Sequence, residues 1–295
     1  MKILFSVFIV FALSLITMSA QEKSVKDSRW VITPTSVGNS KIVDEGGNQN
    51  GTFTGRIYKA ANDKKAVLIF DGSENSVTLS TNAKHPLLPR KEFSVSAIIN
   101  LKNYRDYSGI MGAFLDTGSK EKGWIFSVEN DRLSFGLSTV NANTDGDGVM
   151  TYLNSNKQLN LNQWYLVSAT YDGSLMKLYI NGELEAESKV QTGDILYPEE
   201  LFFEIGTYHD NNEHLFFNGS IYEVSLFNRV LDDYSVKGLY KDAGVLMSEL
   251  PSLQQDSQFL VTPYLQTMTL NSVRNHKKKK KSSKITIEYD EQVPL

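Results

Sequence analysis

Two short stretches concentrate side chains able to hold a ligand. In "NANTDGDG", Asn141, Asn143, Asp145 and Asp147 stand at alternate positions before Gly148. Calcium takes several hard oxygens converging on one point, and a turning loop can supply them. The stretch is not an EF-hand, because the twelfth position counted from Asn143 is Asn154 rather than a bidentate Glu. A looser calcium or glycan loop and a solvated Asn/Gly turn both remain open. The second stretch, "TYHDNNEH", carries Tyr208, His209, Asp210 and His214. The two histidines are five apart in what reads as a loop, a poor spacing for zinc, and the chain has no cysteine to complete such a set. Tyr104, Tyr107, Tyr152 and Tyr208 fall in or near expected loops, and an exposed tyrosine can stack its apolar face on a sugar ring. The expected ligand-binding residues are thus Tyr152, Tyr208 and His209, and the expected oxygen ligands of the first loop are Asn143, Asp145 and Asp147.

Catalytic patterns are weak. "DGSEN" lacks the second glycine of a nucleophile elbow, and the four histidines form no recognisable triad. "GDILY" at 193–197 imitates a metallophosphatase block, but no D-x-H block precedes it and no G-N-H block follows. Two catalytic metals need several Asp, His and Asn ligands from separate strand ends. The chain as written is therefore not expected to be an enzyme.

These loops must be held by strands. Alternating apolar and polar residues recur in runs of five to nine, bounded by turn residues. "FSVSAIINL" sets Phe93, Val95, Ala97 and Ile99 on one face. "WIFSVEN" and "RLSFGLST" predict a hairpin about Asn130-Asp131, and Asp172-Gly173 and Asn181-Gly182 predict two more. Phe70, Phe93 and Trp164 are the expected core aromatics, and Gly72, Gly173, Gly182 and Gly219 the expected turn glycines. "LDDYSVKGLYKDA" reads as a short helix capped by Asp232 or Asp233. More than ten short strands at hairpin spacing predict an all-β antiparallel sandwich or jelly roll.

Length, composition and the ends bound the rest. The 295 residues, 41% hydrophobic and 22% charged, suit one large domain plus a fragment. Lys2 followed by the apolar run Ile3–Ile16 and the small residues of "TMSAQ" reads as a signal peptide over 1–20, cleaved near Ala20. Export, extracellular or periplasmic, and the absence of a stable membrane span follow as expectations. With no cysteine anywhere, the exported body must rely on its core rather than on disulfides. From Gln21 to Val245 there are 22 Lys and Arg against 29 Asp and Glu, a net charge of −7. That acidic body argues against nucleic acid as a partner.

"VDEGGNQNGTFTG", "AVLIFDGSENSVTLS", "LNQWYLVSATYDGSLMKLYINGELEAES" and "FFNGSIYEVSLFNRVL", in that order, resemble a laminin-G-like, concanavalin-A-like jelly roll over about 28–244. The resemblance implies a module that binds glycans or extracellular protein surfaces, often with calcium. In calcium-binding pentraxins, which share this fold, an acidic and amide-rich run corresponds to "TYHDNNEH", which implies Asp210 as a metal ligand. Tyr208 and His209 depart from that pattern, as does Tyr222 where laminin-G-like "GxIDEV" carries Asp. After an expected linker at 245–258, "FLVTPYLQTMTLNS" and "SKITIEYDE" resemble the start of the fibronectin-type-III-like N-terminal domain of purple acid phosphatases and related metallophosphoesterases. This segment, 259–295, is shorter than the roughly 90 to 100 residues such a sandwich needs, and "RNHKKKKKSSK" interrupts the pattern where an apolar strand is expected. The implied whole is an exported, noncatalytic binding module. It would be the targeting part of a metallophosphoesterase-type protein, whose dinuclear metal would belong to a separate catalytic domain. The alternatives are a fragment of a secreted acid phosphatase and a protein-binding adhesion module.

Overall fold

A computed structural model of the chain describes residues 27–37, 40–142 and 146–253. The expected signal peptide, the segment 259–295, Asn143 and Asp145 lie outside the described residues. The first strands are β1 (Ser28–Val31), β2 (Lys41–Ile42), β3 (Gly51–Thr54), β4 (Tyr58–Ala61), β5 (Ala66–Asp71) and β6 (Ser76–Asn82). The central ones are β7 (Phe93–Leu101), β8 (Arg105–Asp116), β9 (Glu121–Asn130), β10 (Arg132–Ser138), β11 (Met150–Gln158) and β12 (Trp164–Tyr171). Then come β13 (Met176–Ile180), β14 (Glu183–Ser188), β15 (Glu200–Ile205), β16 (Thr207–His209), β17 (His214–Phe216), β18 (Asn218–Phe227) and a helix, α1 (Asp233–Glu249).

Two antiparallel sheets face each other, as the alternation predicts. One runs β14-β13-β12-β7-β18-β5-β4, with β1 added beside β18, and the other runs β11-β10-β9-β8-β15-β6-β3-β2. Phe93, Val95, Ala97 and Ile99 do share the inner face, and Trp124, Phe126, Phe135 and Phe203 meet them from the second sheet. Phe93 packs against Trp124 and Phe135, at ring-centroid separations of 4.9 and 5.9 Å. The hairpins at Asn130 and Asn181 form as expected, each Asn taking a positive φ, 55° and 53°.

Three expectations need correction. Trp164 is not in the inner core. It is half-buried on the outer face of the first sheet, where Ile69, Ile98, Leu166, Ala243, Leu250 and Leu253 form a second apolar layer. Its indole Nε1 donates to Pro251 O at 2.9 Å. Gly219 lies within β18 rather than in a turn, where an added Cβ would stand 2.1 Å from Asn100 O. The expected linker also begins too early. α1, capped by Asp232, whose side chain accepts from Ser235 N, continues to Glu249, and the chain through Leu253 packs on the body. Helix and tail cover one outer face because that face carries apolar residues in strands buried on both sides. Among the described residues no helix is long and apolar enough to cross a membrane.

Candidate functional site

The outer face of the second sheet is covered differently, by the β16–β17 hairpin. Ile205 and Phe203 of β15 point into the core, so alternation turns Phe202 and Glu204 outward. The chain then folds back over β8, where a Cβ on Gly109 would lie 1.9 Å from Thr207 O. Only a residue without a side chain lets the hairpin backbone settle that close. Tyr208 enters a small apolar cluster with Phe114, Ile125 and Met150, and Tyr152 and Leu215 pack against it.

Asp210 shapes the tip of this hairpin. Its Oδ1 accepts from the amides of Asn212 (2.9 Å) and Glu213 (2.8 Å), and its Oδ2 accepts from Asp116 N at 3.1 Å. The residue is 3% exposed. These contacts tie the turn to β8 and account for an acidic residue at this position without an ion. The chain direction thereby reverses over Asp210–Glu213, so that His209 and His214 become direct cross-strand partners.

The residues singled out from sequence divide into three groups. Tyr152, Tyr208, His209 and Asp210 all gather around the hairpin. Asp147 lies in a separate loop, where its backbone oxygen accepts from Glu121 N at 3.0 Å, and its neighbours Asn143 and Asp145 lie outside the described residues. Tyr208 is buried, contrary to the exposed stacking surface expected of it. Its hydroxyl and that of Tyr152 lie 3.1 Å apart, and both donate to Asp116 Oδ2, at 3.3 and 2.5 Å. Burial pushes both phenols well above the ordinary tyrosine range; Tyr208 and Asp116 add to the rise at Tyr152, while at Tyr208 the bond to Tyr152 offsets part of it and Asp116 adds to it. Both hydroxyls are thus engaged with Asp116.

His209 stacks between Phe202 and His214, at centroid separations of 3.7 Å on both sides, and His214 continues to Phe216 at 4.1 Å. His209 Nδ1 is 2.7 Å from Glu204 Oε2, and Thr78 donates to Glu204 Oε1 at 2.6 Å. Burial alone would raise the Glu204 carboxyl, but the hydrogen bonds from His209 and Thr78 outweigh it and hold it below the usual range. Burial and the neighbouring His209 lower His214.

Beside the hairpin opens a cleft of about 470 Å³ lined by Gly72, Arg105, Asp106, Tyr107, Glu213 and His214. Gly72 closes the β5–β6 turn with φ +79°, and a Cβ there would stand 2.5 Å from both Arg105 Nη2 and Asn218 Nδ2. The guanidinium thus lies close against Gly72 in the lining of the cleft. Among the described residues Arg29, Arg56, Arg132 and Arg229 pair with carboxylates, whereas Arg105 pairs with none. Tyr107, 36% exposed, packs on Tyr208 at 5.2 Å. Burial, then Asp210 and Asp116, raise the Glu213 carboxyl above its ordinary value. Another groove, beside α1, is lined by Lys177, Tyr179 and Asp233, but these already satisfy one another at 2.8 and 2.7 Å. The cleft by the hairpin keeps unused donors, so it is the better ligand site.

Sequence reading named Tyr107 but missed Arg105, Glu204 and Glu213. Glu204 had a signal, as an acidic residue on the outward beat of "LFFEI". The "GDILY" residues prove architectural: Tyr171 donates to Gly193 O at 2.8 Å, and Tyr197 binds Pro89 O and Trp124 Nε1 at 2.8 and 2.9 Å.

Residues 71–237, more than half of the chain, match the family Laminin_G_3, described as "Concanavalin A-like lectin/glucanases superfamily". Human pappalysin-1 is 27% identical over 142 residues, which cover 44% of this chain and 8% of that protein. Among solved structures, a Trypanosoma rangeli sialidase in complex with sialic acid aligns with a TM-score of 0.52 at 16% identity, over 74% of this chain and 33% of that one. The botulinum neurotoxin serotype G binding domain aligns with a TM-score of 0.51 at 17% identity, over 73% of this chain and 50% of that one. The chain therefore spans less than a tenth of pappalysin-1 and at most half of either structure. At such identities the structural likenesses establish the fold alone.

Proposed function

Because the chain belongs to the Laminin_G_3 family of concanavalin A-like domains, we propose that it is a binding module whose jelly roll takes a glycan in the cleft beside the β16–β17 hairpin. The observation that carries this reading is the pairing of an unpartnered Arg105 with the half-exposed ring of Tyr107 across one cleft. A guanidinium offers several fixed donors to hydroxyl or carboxylate oxygens. An aromatic face receives the C–H side of a sugar ring, and Glu213 supplies an acceptor for sugar hydroxyls. The likeness to a sialidase in complex with sialic acid is compatible with this class of ligand.

Export is part of the proposal, supported by Lys2 and the apolar run after it. So is attachment to a metallophosphoesterase-type partner domain, supported by "FLVTPYLQTMTLNS", and calcium binding at the loop of Asn143, Asp145 and Asp147. The test is a glycan array probed with the full chain, with and without calcium, alongside Tyr107→Ala. Binding to a defined set of glycans that Tyr107→Ala loses supports the reading. Failure to bind any glycan in either condition contradicts it.

A further inference from the structure

We propose that Glu204, His209 and His214 form a binding site for a divalent first-row transition metal, zinc being the best match. The three side chains offer one carboxylate oxygen and two imidazole nitrogens, all within 4.8 Å of one another. Two imidazoles and a carboxylate are a zinc donor set that leaves a fourth position open. Calcium, which takes six or more oxygens, is poorly served by it.

Three separate features of the fold bring these donors together. Outward alternation on β15 presents Glu204, the Asp210 turn sets the β16–β17 register, and that register places His209 opposite His214. The surroundings orient the donors. Thr78 holds Glu204 Oε1 and leaves Oε2 directed at His209. Phe202 and Phe216 close the two ends of the imidazole stack. Such outer partners fix ligand direction in metal sites. Glu204 is 6% exposed, and a buried carboxylate needs a cationic or donating partner.

Binding asks little of Glu204 and His209 and a reorientation of His214. Zinc–oxygen and zinc–nitrogen bonds of about 2.0–2.2 Å put two ligand atoms roughly 3.3 Å apart at tetrahedral angles. The Glu204–His209 pair, now 2.7 Å apart, opens by less than an ångström as the ion comes between the two atoms. His214, the exposed member of the set, swings out of its parallel stack so that its lone pair turns to the ion. The site borders the cleft through His214, but metal binding does not depend on the glycan reading.

The experiment is a zinc titration of the metal-stripped full chain by calorimetry, repeated with cobalt and read by visible absorption. We expect one zinc per chain and a cobalt spectrum of low-symmetry N/O coordination. His214→Ala and Glu204→Gln should each weaken zinc by about tenfold or more, with thermal melting verifying the fold of each. His85→Ala and His276→Ala should bind as the parent does. No zinc binding, or zinc retained at full affinity by a folded His214→Ala, or lost instead with His276→Ala, would overturn the assignment.

Discussion

Replacing Asp210 by alanine removes the acceptor of three backbone amides, those of Asp116, Asn212 and Glu213. Hydrogen bonds to a charged acceptor contribute about 1.5–3 kcal/mol each, though contributions within one network do not add in full. The turn can also relax so that water reaches the two amides at its tip. We therefore expect Asp210→Ala to cost about 3 kcal/mol, or about 6–12 °C of melting temperature in a domain of this size. Asp210→Asn keeps an oxygen for two of the amides but turns its NH₂ towards the Asp116 donor, so about half that loss is expected. The assay is urea unfolding in EDTA and again in calcium, with hydrogen exchange at the Asn212 and Glu213 amides. Both variants should be destabilised equally in the two media, with exchange accelerated first at the turn. The reasoning fails if Asp210→Ala matches the wild type in EDTA and differs only by losing a calcium-dependent gain, for then Asp210 is an ion ligand.

Gly109→Ala should displace the hairpin, since its Cβ would lie 1.9 Å from Thr207 O; a loss of about 2–3 kcal/mol in urea is expected, and an unchanged midpoint would deny the docked geometry. Burial, reinforced by Asp172 and Asp194, pushes Tyr171 up to about 12, and burial also raises Tyr152, Tyr179, Tyr197 and Tyr208. A phenol whose folded pKa exceeds its unfolded value near 10 lends stability that is full below about pH 10 and drains as pH rises through the folded value. Ultraviolet titration at pH 11 should accordingly find several of the 14 tyrosines un-ionised in the native chain and nearly all ionised in urea; equal titrations would contradict it. Trp164→Phe keeps an aromatic ring but loses part of the indole's packing and the 2.9 Å bond to Pro251 O, so about 1 kcal/mol or more should go and proteolysis near residues 250–253 should quicken; an unaltered cleavage rate would count against that anchor.

Alternation and turn chemistry made the sandwich legible. Phe93, Val95, Ala97 and Ile99 could only share a face, and Asn130 and Asn181 occupy the backbone angles their hairpins need. Trp164 was misplaced because its sheet is apolar on both faces, and a period of two cannot say which face meets the other sheet and which meets a helix. The linker was misread at Val245 because the helix outlasts its strongest periodic segment and is stabilised by Leu250 and Leu253 beyond its end. The site was only half legible. His209 and His214 were visible, but their pairing depends on reading Asp210–Glu213 as a tight reversal rather than an open loop. Arg105 and Glu213 lie more than a hundred residues apart, and no local pattern announces that they share a cleft.

The central claim, a glycan in the cleft of Arg105 and Tyr107, is tested most directly by calorimetric titration of the strongest array ligand. The titration would compare wild type, Arg105→Ala, Tyr107→Ala and Asp172→Ala, Asp172 being a further lining residue of the groove beside α1. The account predicts that the first two variants each lose about tenfold or more in affinity, while Asp172→Ala binds as wild type does. Undiminished binding by folded Arg105→Ala and Tyr107→Ala would place the ligand elsewhere and contradict the account.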